Sequence, residues 1–115
     1  MRLKNKVALL TAAAGAGIGQ ATARVMAREG AAVVVTDIHD DRARTVAEQI
    51  AGEYGARTLG LKCDVTSTSD VNRVVEVTLQ AFGRVDILFN NAGTNRPTRV
   101  VDITDEVWDL VLATT

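Results

Sequence analysis

The chain has 115 residues, room for one domain, and a hydrophobic content of 47% is enough to build a packed core. Its formal net charge of −1, with acids and bases interspersed, leaves no basic stripe for nucleic-acid phosphates or an anionic membrane. No stretch approaches the ~20 apolar residues of a membrane-spanning helix, and the single cysteine, Cys63, excludes an intrachain disulfide and suits a reducing, cytoplasmic setting.

The amino terminus begins basic and turns apolar, as a secretion signal would. Its apolar run is short, however, and breaks into a Gly-rich turn, so Val7 to Leu10 reads as a buried strand. Ile18, Ala21, Val25 and Met26 then recur at helical spacing as the apolar face of a first helix, stopped by Gly30. Ala32 to Thr36 is a β-branched strand ending at Asp37. The next helix carries Ala43, Val46, Ala47, Ile50 and Tyr54 on one face, with Asp40 or Asp41 near its start and Gly55 at its end; Tyr54 is expected to pack in the core.

Arg57 to Lys62 is a third strand, weakened by Gly60. Thr66, Ser67 or Ser69 can cap a helix bearing Val71, Val74, Val75 and Phe82, and Gly83 ends it. Val85-Asp86-Ile87-Leu88-Phe89 is a largely apolar run of the kind buried on both faces of a parallel sheet. After a loop from Asn90 to Asp102, Thr104 caps a last helix with Asp105 and Glu106 against its dipole and Val107, Trp108, Val111 and Leu112 as its apolar face. Strands joined by helices of this length must pair in parallel through right-handed crossovers, which predicts a doubly wound α/β sheet of order 3-2-1-4.

Chemistry enters at Gly15-Ala16-Gly17-Ile18-Gly19, between the first strand and its helix. Glycines let the backbone approach a pyrophosphate, and the helix N-terminus offers free N–H groups and a positive dipole end. Close helix-on-strand packing would also select small residues. No Gly-Lys-Ser/Thr follows, so a P-loop is excluded. Asp37, 18 positions after Gly19, can accept hydrogen bonds from ribose hydroxyls and would repel a 2′-phosphate. The neighbouring Ile38-His39-Asp40-Asp41 supplies no offsetting cation, although Arg42 is near, so NAD(H) is favoured over NADP(H). His39 has no metal partners, and no metal is expected.

With Cys63-Asp64-Val65 after the third strand and Asn90-Asn91-Ala92-Gly93 after the fourth, the chain resembles the short-chain dehydrogenase/reductase family over its whole length. The resemblance implies a Rossmann-type NAD(P)-binding domain over residues 1–115, as the N-terminal part of such an enzyme. It implies that Asp64 meets the adenine amino group and Val65 the ring. Asn90 would face the adenosine ribose, Asn91 would tie neighbouring strands, and Ala92 and Gly93 would pass near the cofactor.

Two departures stand out. The family turn Thr-Gly-x-x-x-Gly-Ile-Gly is here one residue longer, with Ala12 where the first glycine belongs. The family's catalytic Asn falls at Thr115, and its Ser and Tyr-x-x-x-Lys have no counterpart in the sequence; Tyr54 is the only tyrosine and has no lysine four residues on. The expected function is therefore the cofactor-binding segment of an NAD(H)-dependent oxidoreductase acting on a secondary alcohol or ketone, without turnover by this chain alone. A non-catalytic dinucleotide-binding module and an S-adenosylmethionine-dependent methyltransferase are the alternatives; the Asn90 to Gly93 signal and the Asp64-Val65 step argue against the latter. The fourth strand is expected to present an unpaired apolar edge beside an uncovered Trp108 face, and the resemblance implies a homo-oligomer, dimer or tetramer.

Overall fold

A computed structural model describes residues 1–115. In chain order it contains β1 (Val7–Leu10), α1 (Ile18–Arg28), β2 (Ala32–Asp37), α2 (Asp40–Tyr54), β3 (Thr58–Lys62), α3 (Thr68–Phe82), β4 (Ile87–Phe89), a 3-10 turn at Val100–Asp102, and α4 (Asp105–Thr114). The strands form one parallel sheet in the order β3-β2-β1-β4, as expected. The crossovers bring all four carboxyl-terminal strand ends to one edge.

The strand period of two divides the core between the faces of the sheet. Ala8, Leu10, Val33 and Val35 pack with Ala23, Ala27, Val46, Ala47 and Ile50 of α1 and α2, while Leu9 and Val34 face Cys63 and Val74. Every residue of β1 and β2 is buried, because these central strands are paired on both edges and covered by helices.

The packing face of α1 differs from the expected one. Gly19, Ala23 and Ala27 are its buried residues, whereas Ile18 is 73% exposed and Val25 47% exposed. A stripe of small residues at four-residue spacing lets the helix axis approach the sheet, and the larger side chains point outward. The same constraint explains Gly60. A Cβ there would collide with the Ala43 carbonyl and come within 2.7 Å of Arg44 Cα, so the glycine permits α2 to lie close over β3.

Helix ends follow local chemistry. Ser67 is the residue that caps α3, accepting from Asp70 N–H, and Thr104 caps α4 by accepting from Val107 N–H. His39 precedes α2 without a side-chain cap, and Asp40 and Asp41 occupy its first turn. Gly55 and Gly83 stop α2 and α3 in the left-handed conformation. Tyr54 is not a core residue: it is partly exposed at the end of α2, facing a hollow at the opposite end of the sheet from the strand carboxyl ends.

Strand β4 is the unpaired apolar edge expected of it, and so is not buried on both faces as its composition would suit. It is three residues long and only partly buried, with Leu88 56% exposed, because β1 is its sole partner and α4 buries no residue of its own. Trp108 is likewise exposed, in line with the uncovered face anticipated for α4. Asp86 locks the start of β4 to β1: its N–H donates to the Val7 carbonyl at 2.9 Å, and its Oδ2 accepts from Val7 N–H at 2.8 Å.

The Arg84 guanidinium and then the Val7 N–H hold the Asp86 carboxyl below its usual range. A carboxyl whose folded pKa is depressed contributes stability above its unfolded value of about 4, and that contribution is lost as pH falls through the lower folded value. Urea unfolding from about pH 5 to about pH 2 should therefore show the wild type losing stability relative to Asp86→Asn only in the acidic part of the range. Parallel stability curves would contradict this.

Candidate nucleotide site

The strand carboxyl ends bring four loops around a cavity of about 240 Å³. Ala12 comes from the turn after β1, Asp37 and Ile38 from the end of β2, Asp64 and Val65 from the loop after β3, and Ala92 and Gly93 from the loop after β4; Leu110 and Thr114 of α4 close one wall.

Gly15 and Gly17 have an unusual status. A Cβ built on either meets nothing within 4 Å, and neither has a left-handed φ, so neither packing nor backbone conformation within the chain requires glycine there. What the glycines provide is bare backbone beside the start of α1, where Gly17 is the N-cap without a side-chain cap and the first-turn N–H groups have no helical acceptor. Gly19 serves a different purpose: its Cβ would lie 2.6 Å from Asn91 Nδ2 and 2.7 Å from the Ala12 carbonyl. Ile18 points away from the cavity, to the outer face of α1.

The lengthened turn is held on both sides. Ala13 N–H donates to the Thr36 carbonyl at 2.9 Å and Ala14 N–H to Asp37 Oδ2 at 3.2 Å, joining it to β2. Thr11 Oγ1 accepts from Asn91 N–H at 3.0 Å and Ala92 N–H at 2.9 Å, and Asn91 Nδ2 donates to the Ala12 carbonyl at 3.2 Å, joining it to the loop after β4. Gln20 Nε2 adds bonds to the Ala14 and Gly15 carbonyls. Sequence reasoning missed Thr11 and Gln20 as site residues. A threonine at a strand end and a glutamine in a first helical turn are too common to single out.

Asp37 is 8% exposed, and its Oδ1 accepts from His39 N–H at 3.1 Å. An ionised carboxylate has about four acceptor positions, so the two backbone donors leave room for further hydroxyl donors. Asp64 Oδ1 accepts from Thr66 Oγ1 at 2.6 Å and Thr66 N–H at 2.9 Å, which holds this carboxyl below its usual range and leaves Oδ2 without a protein donor. Burial, aided by the charge of Asp70, pushes the Cys63 thiol up, so it stays protonated and poorly nucleophilic.

The structure brings Asp37, Asp64, Val65, Ala92 and Gly93 to one cavity, with Gly15 and Gly17 on the adjoining turn. Asn90 is exposed and borders a separate apolar groove, between α3 and β4. Thr115, where the resemblance puts the catalytic Asn, accepts from Thr94 N–H at 3.3 Å beside Gly93. No group of three or more His, Cys, Asp or Glu side chains is placed to hold a metal. A larger hollow of about 740 Å³ on the outer face of α1, lined by Ile18, Val25 and Met26, is a shallow, open surface away from the convergent strand ends.

An open parallel sheet of order 3-2-1-4, with a glycine turn opening α1 and an acid at the end of β2, is a Rossmann-type α/β fold. Residues 12–115 match the family model described as enoyl-(acyl carrier protein) reductase. The chain is 46% identical over 110 residues, 96% of its length and 42% of the relative's, to a (5R,7aS)-5-hydroxy-7a-methyl-1-oxo-2,3,5,6,7,7a-hexahydro-1H-indene-carboxyl-CoA reductase of Mycobacterium tuberculosis. It is 38% identical over 112 residues, 97% of its length and 45% of the relative's, to the 3-oxoacyl-[acyl-carrier-protein] reductase FabG of Thermotoga maritima. A crystal structure of a short chain dehydrogenase from Mycobacterium smegmatis superposes with a TM-score of 0.94 at 48% identity, covering 99% of this chain and 48% of that one. The chain belongs to the short-chain dehydrogenase/reductase family of oxidoreductases, whose members use nicotinamide dinucleotides, and spans less than half the length of these relatives.

Ala12, standing where the family pattern has glycine, adopts φ +50°. The left-handed region costs a non-glycine residue roughly 1–2 kcal/mol, against which glycine costs about 0.5–1 kcal/mol of backbone entropy. Ala12→Gly should therefore raise stability by about 0.5–1 kcal/mol in urea titrations. A loss of stability would show that the methyl group, not the conformation, governs this position.

Proposed function

We propose that the protein binds NAD(H) at the carboxyl edge of its sheet, in preference to NADP(H), as the cofactor-binding part of an oxidoreductase that interconverts a secondary alcohol and a ketone. The observation that carries the reading is Asp37, a nearly buried carboxylate on the cavity wall that makes no ion pair and whose partners are backbone N–H groups. Such a group accepts from ribose hydroxyls and repels a 2′-phosphate.

The remaining residues take consistent roles. The bare backbone of Gly15 and Gly17 and the first turn of α1 receive the pyrophosphate. Val65 lies against the adenine ring while Asp64 accepts from its amino group. The loop Asn90 to Gly93, held by Thr11, lets the backbone run beside the cofactor. The bound dinucleotide supplies or accepts the hydride; these residues bind it and fix its orientation.

Isothermal titration calorimetry tests the reading. NAD is expected to bind at least about tenfold more tightly than NADP. Gly17→Ala should weaken NAD about tenfold with the fold retained, since the added methyl meets no protein atom within 4 Å. Absence of NAD binding, equal affinity for both dinucleotides, or an unaffected Gly17→Ala variant would overturn it.

A further inference from the structure

We propose that Asp37 is a positioning residue for the Gly-rich turn, so that one carboxylate sets the phosphate-binding backbone as well as meeting the ribose. This rests on the dinucleotide reading above. The turn is one residue longer than the family pattern and passes through a left-handed Ala12, so its course depends on outside anchors. Ala14 is 6% exposed, and its N–H donates to Asp37 Oδ2; Gly15, Ala16 and Gly17 follow directly. Where the carboxylate sits therefore decides where the phosphate-facing N–H groups begin. The second oxygen is held in turn by His39 N–H.

The arrangement needs two acceptor oxygens. Asparagine has nearly the same shape but one oxygen and one NH₂, so in either orientation an N–H faces an N–H, at Ala14 or at His39. One donor then loses its acceptor at a nearly buried site. Removing the acid to admit a 2′-phosphate should consequently weaken both dinucleotides instead of exchanging the preference.

The decisive ligand lacks ribose hydroxyls: 2′,3′-dideoxyadenosine diphosphate, measured by calorimetry on the wild type and Asp37→Asn, with folding checked by circular dichroism. A carboxylate that only binds ribose gives this ligand nothing, and removing its negative charge near the pyrophosphate would leave affinity unchanged or improved. A positioning carboxylate predicts a loss of about fivefold or more. Unchanged or tighter binding overturns the proposal.

A second measurement needs neither ligand nor variant. In the NMR spectrum of the wild type, the Ala14 and His39 amide nitrogens should each show a scalar coupling across the hydrogen bond to the Asp37 carboxyl carbon. An Ala14 amide without that coupling overturns the tether, including where Asp37→Asn fails to fold. If the wild type binds no adenine nucleotide, the dinucleotide reading fails while the coupling still decides whether Asp37 holds the turn.

Discussion

The hydrogen bonds that suspend the turn after β1 between the ends of β2 and β4 are the interaction on which the rest of this structure depends. Parallel pairing alone delivers four loops to one edge of the sheet; it does not make a binding surface of them. Ala13 and Ala14 bond to Thr36 and Asp37 on one side, and Thr11 and Ala12 to Asn91 and Ala92 on the other. These bonds bring the bare glycines to the start of α1 and the Asp37 carboxylate to the same cavity.

Close approach is the second constraint. A contact stripe of small residues lets a helix axis lie close against a parallel sheet, as where α1 turns Gly19, Ala23 and Ala27 inward and α2 lies over Gly60. The consequence reaches the site: Gly19 leaves just enough space for the Asn91 amide to reach the Ala12 carbonyl. Packing and binding geometry are set by the same few missing side chains.

Much of this was legible in the sequence. Alternating strand and helix periods gave the sheet order and the helix stops at Gly55 and Gly83, and motif order placed Asp37, Asp64, Val65, Ala92 and Gly93 on one edge. Hydrophobic periodicity misled at α1, where Ile18 and Val25 look like a core face but the true contact stripe is alanine and glycine, residues with little hydrophobic signal. Tyr54 misled likewise, as an aromatic on the apolar face of α2 that falls at the last turn, beyond the edge of the sheet. Reading β4 as buried on both faces assumed neighbours that its composition suits but that this chain does not supply. The tethers from Thr11 and Gln20 were invisible because they link residues to backbone groups, and backbone leaves no mark on sequence.

The proposed seat of the adenosine and pyrophosphate of a nicotinamide dinucleotide is the carboxyl edge of the sheet. NMR chemical-shift mapping with NAD addresses it residue by residue. Shifts should concentrate on the amides of Gly15, Gly17 and Gly19, on Asp37 and Ile38, on Asp64 and Val65, and on Ala92 and Gly93, with the opposite end of the sheet around Lys4 and Tyr54 unmoved. Shifts confined to the outer face of α1 or to that opposite end would contradict the account.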